Sequence, residues 1–88
     1  MLITLLTAKI KNAIQELDEW THNKPQHLTQ RIQKIREELI EAKLSTSIES
    51  LREKTNIISM MIVDSGPLDV DFLPSFQEIV KKLGKLNN

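Results

Sequence analysis

The sequence predicts an all-α protein, an antiparallel up-down four-helix bundle with a shorter fourth helix. Three observations carry this. Apolar residues recur at alternating three- and four-residue spacings along most of the 88 residues. Proline and glycine interrupt that period at only a few points, and no second run with two-residue alternation offers a strand to pair with the one short candidate. A length well under ~150 residues leaves room for one core, so residues 1–88 are read as a single domain.

The first helix is predicted over about residues 2–21. Ile3, Leu6, Ile10, Ala13, Leu17 and Trp20 form its stripe, widened by Leu2, Leu5 and Ile14. Pro25 ends the pattern, because proline cannot donate to a helix and excludes the α region for the residue before it. The second helix, about 26–43, places Leu28, Ile32, Ile35, Leu39 and Ala42 on one face and Arg31, Gln33, Lys34, Glu37, Glu38 and Glu41 on the other. Thr46-Ser47-Ile48-Glu49 reads as a capping box, in which Thr46 and Glu49 satisfy each other's free backbone donors.

The third helix follows, about 47–64, with Ile48, Leu51, Thr55, Ile58 and Ile62 inward and Ile57 and Met61 flanking. Met60 and Met61 are expected to fill core beside Ile58 and Ile62; an adaptable binding groove is the other reading of the pair. Pro67 to Leu73 alternates like a strand but has no partner and is read as extended loop. Pro74 suits the first turn of a last helix, about 74–83, that carries Phe76, Ile79, Val80 and Leu83. Gly84 is expected to close it, with Lys81, Lys82 and Lys85 near its negative end. Four stripes can cover one another in a closed monomer, and the strict spacing also permits a coiled-coil-like homodimer.

Twelve Lys plus Arg balance twelve Asp plus Glu. Residues 1–44 hold seven bases and six acids, and residues 45–88 five and six. Neither half is the basic arm that phosphate neutralisation requires, so no nucleic-acid partner is expected. The absence of cysteine excludes disulfides, thiolate metal sites and thiol nucleophiles, and fits a reducing cytoplasm. Met1 to Leu6 is too short an apolar run for a signal peptide, and Ile57 to Val63 is far short of a membrane span.

No familiar catalytic arrangement stands out, and the chain is read as a non-enzyme without cofactor or metal. His22 and His27 flank a turn without the further ligands of a metal shell. Asp64, Asp69 and Asp71 lack the spacing and terminal glutamate of a calcium loop. Glu37 with Glu38, and Glu16 with Glu19, fall on faces predicted wet, where nothing would separate their pKa values. Two glycines cannot build a phosphate-cradling loop, and Ser65-Gly66 lacks the flanking glycines of a nucleophile elbow. Arg31, Arg36 and Arg52 fall off the apolar stripes, unlike the inward cations of a helical mutase.

The C-terminal third is the uneven part. Phe72 and Phe76 flank Pro74, and Lys81, Lys82 and Lys85 follow. One reading has Phe76 closing the core while the lysines complement the helix dipole. The other makes Phe72, Phe76, Lys81, Lys82 and Lys85 a partner-binding surface, with aromatic anchors and a cationic end suited to a protein partner or peripheral membrane contact.

The layout, together with Leu39 to Leu44, Leu51 to Ile58 and Phe72-Leu73-Pro74-Ser75-Phe76-Gln77-Glu78-Ile79, resembles the immunity proteins of class IIa (pediocin-like) bacteriocins, particularly the enterocin A immunity type. The resemblance implies an antiparallel four-helix bundle that protects a bacteriocin-producing Gram-positive cell from the cytosolic side. It implies as partner a mannose phosphotransferase membrane complex with bound bacteriocin, and it places specificity largely in the C-terminal half, here Phe72 to Lys85. A small helical adaptor or secretion chaperone that binds a partner protein helix is the alternative expectation.

Overall fold

The computed structural model describes residues 2–24, 30–64 and 73–86. Among these residues are four helices: α1 (Leu2–Asn23), α2 (Gln30–Lys43), α3 (Ile48–Asp64) and α4 (Pro74–Leu86). There is no strand among the described residues. Residues 26–29, assigned from sequence to the second helix, and Pro67 to Phe72 lie outside them. At about 1.5 Å per residue, the 22 residues of α1 span about 33 Å, most of the molecule's 38 Å long axis. α1 is therefore the backbone of the bundle. It packs along α2 and α4, while α3 packs chiefly on α2.

The period decides what each helix buries. Leu6, Ile10, Ala13 and Leu17 from α1 meet Ile32, Ile35, Leu39 and Ala42 from α2 in one apolar cluster. Leu51 and Ile58 join from α3, and Phe76, Ile79 and Leu83 from α4. Thr55 is the buried polar residue among the described ones, and its hydroxyl donates to the carbonyl of Arg52 at 2.9 Å; the Nε of the half-buried Arg52 is the one buried side-chain nitrogen or oxygen among them without a hydrogen-bond partner. Leu2 and Leu5, which widen the α1 stripe in the sequence, are exposed.

Two helix ends, the start of α3 and the end of α4, differ from the sequence reading. At α3 the cap is Ser47, whose Oγ accepts the backbone N–H of Ser50 at 3.1 Å; Thr46 and Glu49 do not form the box. At the C-terminus α4 runs through Gly84 to Leu86. Gly84 keeps a helical backbone, and Lys85 in the last turn complements the dipole. α4 begins at Pro74 as expected, with an unusual cap before it. Leu73 takes φ 51° and its carbonyl accepts the N–H of Gln77 at 3.1 Å, which makes it the capping residue. Pro74 denies Leu73 the α region, and the left-handed turn costs about 1–2 kcal/mol in a residue with a Cβ. Burying the leucine side chain, 2% exposed, returns about 1.5–3 kcal/mol.

Leucine has no side-chain oxygen to satisfy the free donors of α4. Glu16 of α1 supplies it: its carboxylate accepts the Ser75 backbone N–H at 3.1 Å and the Ser75 hydroxyl at 2.5 Å. Glu16 is thus no ordinary wet-face residue, because α4 lies against it. At the other end the Arg52 guanidinium of α3 donates to the Leu83 carbonyl at 3.4 Å. An anion at the positive end and a cation at the negative end both oppose the helix dipole, so α4 is held at its two termini by different neighbours.

Candidate functional site

The C-terminal element singled out in the sequence divides in the structure. Phe76 is 1% exposed within the apolar cluster, which fits core closure and removes its ring from the surface. Phe72 lies outside the described residues. Lys81, Lys82 and Lys85 are all exposed. Spacings of three and four residues place Lys81 and Lys82 each beside Lys85 on the outward side of α4. Phe76, Ile79 and Leu83 occupy the opposite side. The structure therefore brings the three lysines together and separates them from the aromatic anchor.

Electrostatics around this face are local. Lys9 of α1 bridges Glu78 of α4 at 2.6 Å. The hydrogen bond and charge of Lys9 hold the Glu78 carboxyl below its ordinary range, with smaller help from Lys82 and Lys81. Glu78 is thus engaged on the α1 side of the lysine face. Elsewhere, Arg36 pairs with Asp18 at 2.8 Å and its pKa is raised by that hydrogen bond and charge, while Lys54 is raised by hydrogen bonds to Glu38 and Glu41. These pairs tie α2 to α1 and α3 to α2.

Sequence reasoning missed a second region. Met60, expected in the core, is 67% exposed, and Ile57 and Val63 are 45% and 76% exposed. Met61 packs partly against the core as expected. The physical reason is angular: Met60 falls about 160° from Ile58 around the helix, at about 100° per residue. α2 covers only one side of α3. Beside this ridge lies a shallow groove of about 820 Å³, lined by Gln30, Arg31, Gln33, Lys34, Glu37, Met61 and Asp64. Arg31 crosses it to donate to the Asp64 carbonyl.

Two cations and two carboxylates on an open wall offer mixed charge and no enclosed reaction chamber. His22 faces a smaller depression with Asp18, Glu19 and Asn23, while His27 lies outside the described residues. Among the described residues no three His, Cys, Asp or Glu side chains gather as metal ligands. No described helix is long and apolar enough to cross a membrane. No family model, curated protein or solved structure matches the chain.

Proposed function

We propose that the chain acts by binding alone, as an immunity protein of the class IIa bacteriocin type. In this reading it protects a producer cell by engaging, from the cytosolic side, a mannose phosphotransferase membrane complex that has bound bacteriocin. The observation that carries the reading is the lysine face of α4. Lys81, Lys82 and Lys85 point outward from a helix whose two ends are fixed by Glu16 and Arg52, so their charges are presented at set positions. The bundle of four helices, with a short last one, agrees with the architecture that the resemblance implies.

Expression of the chain in a sensitive strain is expected to raise tolerance to one bacteriocin of the class. Reversing two charges together, Lys81→Glu with Lys82→Glu, is expected to abolish tolerance while leaving the circular dichroism melt close to that of the parent. Failure to protect against any peptide of a broad panel would overturn the function. Full protection by the charge-reversed variant would remove the docking face from α4.

A further inference from the structure

The outward side of α3 is apolar in the middle and anionic at its ends. Ile57, Met60 and Val63 stand at three-residue spacing, which stacks them on successive turns, all exposed. Thr55 to Val63 contains no charged residue in a chain that is 27% charged. Beyond that run, Glu49, Glu53 and Asp64 are exposed. The two cations of the helix are turned elsewhere. Lys54 reaches Glu38 and Glu41 of α2 at 3.2 and 3.3 Å, and Arg52 reaches the Leu83 carbonyl of α4. Arg31 of α2 reaches the Asp64 carbonyl at one end, so the negative balance around the apolar ridge is carried chiefly by Glu49 and Glu53.

We propose that this face of α3 docks a cationic amphipathic helix from another protein. Its apolar residues would cover Ile57, Met60 and Val63, and its flanking lysines or arginines would meet Glu49 and Glu53. A charge-free centre with a charged rim is how interfaces are built, and the exposed thioether of Met60 repacks readily around different side chains. A second copy of this chain fits less well. Parallel pairing of two α3 helices sets Glu53 against Glu53, and antiparallel pairing that crosses Ile57 with Met60 sets Glu53 against Asp64. Both juxtapose like charges. The lysine face of α4 on another copy has the right sign, but Val80, 36% exposed, is its one large exposed apolar side chain there among the described residues. It cannot cover the ridge.

The test is a titration of the isotope-labelled full chain, followed by NMR, with two synthetic peptides of about four helical turns. One carries leucines at helical spacing with flanking lysines, and the other has glutamate at each lysine position. The lysine peptide is expected to saturate, to shift amides of α3 around Ile57 to Asp64, and to bind about tenfold more tightly than the glutamate peptide at low salt. Met60→Lys, a change at an exposed position, is expected to weaken it about tenfold while the spectrum stays folded. Equal binding of both peptides, no saturable binding, or shifts centred on α4 would overturn the proposal. A concentration-dependent dimer in sedimentation that Met60→Lys dissolves would overturn it in favour of a second copy. Bacteriocin tolerance is not read in this experiment, so either proposal can fail alone.

Discussion

Phe76→Ala separates a core residue from a docking residue by magnitude. The ring is 1% exposed, so truncation removes nearly all of its buried surface and leaves a cavity among apolar residues of the other helices. Such substitutions cost about 3–5 kcal/mol. At ~0.05–0.15 kcal/mol per residue, an 88-residue chain has about 4–13 kcal/mol of stability in total. The variant therefore loses between about a quarter and all of it. With an unfolding entropy of about 2.1 cal/mol/K per residue, the melting midpoint falls by about 16–27 °C. Urea denaturation followed by circular dichroism gives the free energy, and a thermal scan the midpoint. A loss below about 1 kcal/mol would refute the burial argument and return the ring to the surface beside the lysines. Lys81→Ala, measured alongside, is expected to stay within about 0.5 kcal/mol of the parent.

Gly84→Ala is expected to stabilise by about 0.5–1 kcal/mol, because Gly84 is helical, exposed and has open space where a Cβ would sit; a midpoint that does not rise argues against the helix continuing to Leu86. Glu16→Ala removes the borrowed cap of α4 and is expected to cost about 1 kcal/mol in denaturant unfolding, with amide exchange accelerated at Ser75. The Lys9–Glu78 pair fixes an acid-side dependence. A carboxyl whose folded pKa is depressed stabilises the fold above its unfolded pKa, and that contribution is lost as pH falls through the folded value. Lys9→Ala is expected to move the Glu78 titration, read by NMR, up toward the ordinary glutamate range and to flatten the loss of stability in acid.

Much of the fold was legible because one physical quantity, the helical period, decides most of it. Ile3 to Trp20, Ile32 to Ala42 and Phe76 to Leu83 mark the sides that pack, and buried residues fall on them. What the period does not specify is how wide the cover over each helix will be. Leu2 and Leu5 are apolar and sit at the margins of the α1 stripe, where the packing of neighbours determines exposure, whereas the exposure of Met60 follows from its angle to Ile58. The helix ends were legible only in part for a related reason. The cap of α4 comes from Glu16, 59 residues away in the chain, and no local pattern of Leu73-Pro74-Ser75 announces it.

The candidate site follows the same logic. Lys81, Lys82 and Lys85 were readable as a cluster, because their spacing alone places them on one side of a helix. The position of Phe76 opposite them follows from the same arithmetic: five residues separate Phe76 from Lys81, about 140° around the axis. A residue that anchors the core cannot at that angle share a surface with Lys81, so sequence adjacency overstates the unity of the C-terminal third. The charge balance hides a comparable separation. Glu49, Glu53 and Asp64 lie outward on α3, and the three lysines lie outward on α4. Two helices joined by the hydrogen bond from Arg52 to the Leu83 carbonyl thus present opposite charge to solvent. Zero net charge in this chain therefore conceals two faces of opposite sign, a separation that a count of charged residues does not register.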